Sequence, residues 1–144
     1  MNHFGAGSRR HLIGVHPDLV LVSGYAITFC EQDFSATDGA RSEEEQRANI
    51  IKGVSWTMNS RHLPFLVGGV LLAHAVDLVP WIPGSSVWKL SSPEQWILFR
   101  KIASAMKRAS RELKIPVLWG GDWRTHKDGP HWYLSRRHYP KGAG

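Results

Sequence analysis

Asp128 and His131 flank a Gly129-Pro130 turn near the end of the chain. A turn of that kind brings the two side chains toward one centre. An imidazole that can ligate a metal, beside a carboxylate that can take a proton, is the pairing that metal-assisted hydrolysis needs. Asp-Gly-Pro is also an ordinary turn, in which the aspartate has only a structural role. His62 and Asp77 could supply two more ligands. Three protein ligands with an open fourth position describe a catalytic zinc centre, and four a structural one. The chain has 8 histidines, so His/Asp coincidences arise by chance and spacing alone selects no site.

Positioning these groups falls first to the stretch between His62 and Asp77. Leu66-Val67-Gly68-Gly69-Val70-Leu71 places a Gly-Gly pair between apolar residues, a two-residue hairpin signal because the favoured turn needs positive φ at both centres. With Val67 opposite Val70, the register continued outward sets Leu63 against His74, His62 against Ala75 and Ser60 against Asp77. His62 and Asp77 are then diagonal neighbours on one face, close enough to share a metal, and His74 points the other way. A short helix or a loop over this segment is the competing reading.

Three helices can be placed. One begins at Pro17 with Asp18 in its first turn, and Leu19, Val22, Ala26 and Phe29 recur at helical spacing. A second follows the Ser42-Glu43-Glu44-Glu45 capping box and stops near Gly53. The third has Ser92 as cap, Pro93 in first position and Gln95 closing the box. Its stripe is Trp96, Phe99, Ala103 and Met106, and Lys107, Arg108, Arg111 and Lys114 gather at its end. Short strands are expected at Phe34–Thr37, Ile115–Trp119 and His131–Leu134. Helices and strands do not alternate regularly, which favours α+β with a small antiparallel sheet flanked by about three helices.

The whole chain of 144 residues fits one domain, 1–144, with a frayed tail over 139–144. The single cysteine, Cys30, rules out an intrachain disulfide and cysteine-rich zinc modules, and reads as a small buried hydrophobe. The charge of +6 suits a polyanionic partner such as an anionic wall or outer-membrane surface. No nucleic-acid motif accompanies it. No secretory signal opens the chain, and the apolar run from Leu63 is too short to span a bilayer, so synthesis in a cytoplasm without a stable membrane span is expected.

Four ordered runs, Ser60-Arg61-His62, His74-Ala75-Val76-Asp77-Leu78, Trp119-Gly120-Gly121-Asp122-Trp123 and Asp128-Gly129-Pro130-His131-Trp132, resemble a zinc peptidase family. That family contains D-alanyl-D-alanine carboxypeptidases and L-alanyl-D-glutamate endopeptidases. The likeness runs from about Phe4 to Tyr139, includes His16-Pro17-Asp18-Leu19 and the stretch to Arg41, and is closer to the endopeptidase branch of phage endolysins. It implies a hedgehog/D,D-peptidase-like fold, a Zn2+ held by His62, Asp77 and His131, Asp128 as general base, and Arg41 as the group that binds substrate and steadies negative charge. Ser60, His126 and Trp132 are candidate substrate contacts. The implied substrate is the L-Ala–D-Glu bond of bacterial peptidoglycan. The implied setting is host-cell lysis, with the enzyme made in the host cytoplasm and acting on the wall after release.

The family normally places its His and Asp seven apart; here they are fifteen apart, and Ala73 stands where glycine is expected. About eight residues are therefore inserted, within 63–73. An even insertion keeps both side chains on one face of an extended hairpin. The added stretch is very apolar, which points to core packing, self-association or lipid contact. Two other functions stay open at the level of sequence. One is a D,D-carboxypeptidase or dipeptidase of the same fold, the other a zinc-fold binding protein made inactive by the insertion.

Overall fold

A computed structural model of the chain describes residues 1–52 and 60–141. In chain order the elements are α1 (Ala6–His11), α2 (Pro17–Phe29), β1 (Phe34–Asp38), α3 (Glu43–Ile51), β2 (Phe65–Val67), β3 (Val70–Leu72), β4 (Ala75–Pro80), α4 (Ser92–Leu113), β5 (Val117–Trp119) and β6 (His131–Leu134). The architecture is α+β. Short 3-10 turns at Val87–Lys89 and Gly120–Asp122 bracket α4 and β5.

Helix starts follow local chemistry. Pro17 opens α2, and the Asp18 N–H donates to Nδ1 of His16 at 3.0 Å. Ser42 and Glu45 form the reciprocal capping box of α3; the expected stop at Gly53 lies outside the described residues. The cap of α4 is Ser91 rather than Ser92, and its box closes on Glu94 rather than Gln95. Both serines have a suitable partner three residues on, and here the charged carboxylate is the one used. The six-residue α1 was not anticipated, since one and a half turns carry too little periodicity to read.

Strands β1-β4-β6-β5 form one antiparallel sheet. Alternation sorts its side chains. Ala36, Val76, Leu78, Trp119, Trp132 and Leu134 enter the buried core with the α4 stripe of Phe99, Ile102, Ala103, Met106 and Ala109. The opposite face carries Asp77, His131 and Tyr133. Trp119 and Trp132 stack at 5.6 Å between ring centres.

The hairpin forms in the expected register over Phe65–Leu72, Leu66–Leu71 and Val67–Val70, with Gly68 and Gly69 at φ of 56° and 84°. Its outward continuation does not form. Asp77 already lies between Asp38 on β1 and His131 on β6, so no edge remains for Ser60. Ala73 instead bridges Val15 in parallel, and the His74 N–H donates to the Arg61 carbonyl at 2.7 Å. Leu66, Val70 and Leu71 are more than half exposed, so most of the apolar insertion lies outside the core; Phe65 and Ala73 are buried.

Candidate active site

Asp77 and His131 are direct cross-strand partners in β4 and β6, so the sheet itself puts their side chains together on one face. His62 arrives from the loop before the hairpin. Its carbonyl accepts from the Arg41 N–H at 2.8 Å, and its N–H donates to Ser60 Oγ at 3.1 Å. His62 and His131 are buried, while the Asp77 side chain is 22% exposed. His62 Nε2 lies 3.1 Å from Asp77 Oδ1 and 3.2 Å from His131 Nδ1, and that Nδ1 lies 3.4 Å from the same Oδ1.

Those three separations test whether a metal fits. Ligand bonds of 2.0–2.1 Å at tetrahedral angles put neighbouring donor atoms roughly 3.3–3.4 Å apart. The observed triangle has nearly those edges. The donor chemistry agrees. His62 Nδ1 lies 2.7 Å from the Gly39 carbonyl, which can only accept, so Nδ1 carries the hydrogen. In the neutral ring Nε2 then presents a lone pair to the Asp77 carboxylate. Two acceptors held face to face call for a cation between them. The carbonyl on the far nitrogen is the partner that metal-bound imidazoles normally have. Among the described residues, the ligand-capable group consists of His62, Asp77 and His131.

The site's electrostatics favour a positive charge, a proton or a metal, between these donors. Burial opposes charge on Asp77, but the two imidazoles outweigh it and hold the carboxyl below its usual range. Burial likewise opposes protonation of His62, yet the Asp77 carboxylate raises its pKa. Asp128 is shifted upward, first by burial and then by the Asp77 charge. Its N–H donates to the Gly120 carbonyl at 3.0 Å, and its own carbonyl accepts from the His131 N–H at 3.3 Å, so the turn fixes Asp128 relative to His131. A Cβ built on Gly120 would lie 2.6 Å from the Asp128 carbonyl oxygen and 3.0 Å from the His131 Cβ. Only glycine permits that approach.

Arg41 is buried. Its guanidinium is clamped by the Asp38 carboxylate at the end of β1 and by the Gln46 side-chain oxygen on α3. Its charge disfavours protonation of both His62 and Asp128.

The remaining expected contacts distribute unevenly. Ser60 braces the His62 backbone. His126 is exposed at φ 52° on the loop before Asp128 and lies outside the ligand-capable trio. Trp132 is 1% exposed in the core, because alternation turns it away from His131; it supports the site from behind rather than meeting a substrate. His74, stacked on Phe65 at 4.1 Å, also stands outside the trio. Sequence reading missed Gly39, Gln46 and Tyr133. Tyr133 was within reach of it: the same alternation that turns His131 to the site face of the sheet turns residue 133 there. Its ring centre lies 5.4 Å from that of His131, and its hydroxyl accepts from the Trp123 indole N–H at 3.0 Å.

The chain is similar in sequence and fold to known proteins. The chain is 27% identical over 125 residues to the L-alanyl-D-glutamate peptidase of Escherichia phage T5, covering 87% of this chain and 84% of that protein. It is 29% identical over 99 residues to the L-alanyl-D-glutamate peptidase of Listeria phage A118, covering 69% of this chain and 29% of the much longer relative. The crystal structure of the Serratia marcescens L-Ala D-Glu endopeptidase ChiX superposes with a TM-score of 0.79 at 42% identity, over 96% of this chain and 94% of that one. The model of the phage L-alanyl-D-glutamate peptidase family matches residues 1–134. That span includes every member of the His-Asp-His triangle, and the chain belongs to this family.

Proposed function

We propose that this chain is a peptidoglycan hydrolase that cuts the L-Ala–D-Glu bond of the stem peptide, with a zinc ion held by His62, Asp77 and His131. The observation that carries this reading is the triangle of donor atoms at tetrahedral edge lengths, in a chain whose relatives are named for that cleavage. Zinc, when bound there, supplies Lewis acidity toward a carbonyl and lowers the pKa of water to ~7.

The chain's own residues do the rest. Asp128, with its affinity for protons raised by burial, takes the proton of the attacking water at its carboxylate and returns it to the leaving amine. Arg41 offers a fixed guanidinium to the oxygen on which charge develops. Its clamp to Asp38 and Gln46 means it does not have to reorganise as that charge appears. Gly39 and Ser60 hold His62 in its tautomer and place. Tyr133 and Trp123 wall the His131 side of the site.

Residues 1–144 form one peptidase domain in this reading. The biological setting is phage lysis, with synthesis in the host cytoplasm and action on the wall. Among the described residues no helix is long and apolar enough to cross a membrane. The exposed cations of α4, among them Arg100, Arg108 and Arg111, suit approach to an anionic wall or outer-membrane surface.

The test is digestion of purified peptidoglycan by the zinc-loaded protein, with mass spectrometry of the products. New amino-terminal D-Glu and carboxy-terminal L-Ala are expected. Release of terminal D-Ala would replace this reading with a D,D-carboxypeptidase, and bound zinc without turnover would replace it with a binding protein.

A further inference from the structure

Arg61 precedes His62 and is 3% exposed, and among the described residues no salt bridge holds it. A buried guanidinium is costly unless its surroundings compensate. Here they are backbone oxygens and a ring. One terminal nitrogen donates to the Tyr139 carbonyl at 2.6 Å and to the Leu134 carbonyl at 3.3 Å. The cation lies 5.2 Å from the centre of the Phe65 ring. Among the described residues its Nε has no hydrogen-bond partner. A group kept at such cost is holding something in place.

What it holds is the C-terminal segment against the loop that carries His62. That segment is itself tied down: Ser135 N–H donates to the Pro116 carbonyl at 3.0 Å, and Tyr139 N–H to the Ser135 carbonyl at 2.8 Å. The Tyr139 hydroxyl reaches Asp18 at 2.7 Å, and its ring packs edge-on against His16 and His74. The Arg61 carbonyl in turn accepts from His74. Residue 61 is thus fastened on both its main chain and its side chain, one bond from the ligand. The family-model match ends at residue 134, so Tyr139 lies beyond it.

We infer that Arg61 and the segment Ser135–Tyr139 form a clasp that positions His62 for metal binding. Arg61 is a positioning residue, acting through the backbone of its neighbour. The inference rests on the metal-site reading above.

The test uses the full-length chain and three variants: Arg61→Met, Arg61→Lys, which keeps the charge but loses the fork, and Tyr139→Gly, which frees the tail. Two quantities are measured on protein whose circular dichroism matches wild type. One is the dissociation constant for zinc, with the Co2+ absorption spectrum beside it. The other is the His62 Nδ1–H proton signal in metal-free protein, which reports the bond to Gly39. Arg61→Met should weaken zinc about 10–100-fold, the usual effect of losing a group that orients a ligand, and the other two variants about 3–10-fold. The His62 proton should broaden in all three. Should Arg61→Met not fold, the two milder variants decide. A folded Arg61→Lys or Tyr139→Gly protein with wild-type zinc affinity, Co2+ spectrum and His62 signal overturns the clasp. Wild-type protein that binds no zinc sinks the metal reading instead, and the His62 signal still judges the clasp.

Discussion

The Nδ1–H of His62 donates to the carbonyl of Gly39 at 2.7 Å, and this one bond decides which nitrogen faces Asp77. It leaves a lone pair on Nε2, pointed at a carboxylate oxygen and at a second imidazole. The ligand-capable triangle is therefore set by backbone on one side and by cross-strand pairing on the other.

Removing a corner of that triangle should remove the metal. Asp77→Asn is expected to lower zinc affinity by two orders of magnitude or more, roughly, and to abolish peptidoglycan cleavage with it. Zinc content after dialysis, measured alongside turnover, checks this. An Asp77→Asn protein that keeps stoichiometric zinc and normal activity would contradict it.

Asp128 should behave differently. Asp128→Asn leaves the three donors in place, so zinc binding stays near wild type while the rate falls about 10²–10⁴-fold, the usual worth of a positioned acid–base group. Titration calorimetry and steady-state rates separate the two effects.

Gly120→Ala tests the close approach behind the Asp128 turn. The added methyl meets the Asp128 carbonyl and the His131 Cβ, both backbone-anchored. A loss of about 1–3 kcal/mol is expected, as for other overpacked sites. Activity should fall more than this stability loss explains, because the residues displaced are a proposed ligand and the proposed base. Urea unfolding and initial rates give the two numbers.

Trp132→Ala should cost about 3–5 kcal/mol, since it empties a fully buried indole site stacked on Trp119. Trp132→Phe should retain most activity, which a direct substrate contact would not allow. Melting and KM for wall fragments are the readouts.

His74 predicts how stability responds to acid. Burial, with Arg61 and His16 nearby, pushes its pKa down to about 4 from 6.5. The fold therefore favours the neutral ring, while the unfolded chain takes up a proton below about pH 6.5. The contribution to stability is intact above that pH and is lost as pH falls from 6.5 toward 4. Down to pH 4.5 the loss amounts to roughly 2–3 kcal/mol. His74→Phe, which keeps an aromatic ring beside Phe65, should flatten this part of the pH profile. Denaturant midpoints at stepped pH, wild type against variant, decide it.

Much of this molecule was legible beforehand. The starts of α2 and α3, the register of the hairpin and the α+β class follow from proline placement, capping residues, paired glycines and irregular alternation. The cap of α4 slipped by one residue because two adjacent serines each had a partner. The three members of the ligand-capable group could be named, but the route by which they meet could not. Extending the hairpin register put His62 opposite Ala75. In the fold, β4 is claimed by β1 and β6, and His62 reaches the centre from a loop. Strand order in a sheet is a long-range fact that local patterning does not encode. For the same reason Gly39 was invisible, since its role lies in a carbonyl, which every residue has.

One bond at the neck of the hairpin has a consequence for how this chain could vary. The His74 N–H to Arg61 carbonyl link closes the segment between them at its base. Length added or removed at the exposed Gly68-Gly69 turn, outside the buried Phe65 and Ala73, does not change where the chain leaves and re-enters the scaffold. Lengthening such a loop costs little, on the order of 0.6 kcal/mol per doubling. The hairpin tip is thus a grafting port, a place where foreign peptide could be spliced into the protein while the chemistry beneath it stays in register.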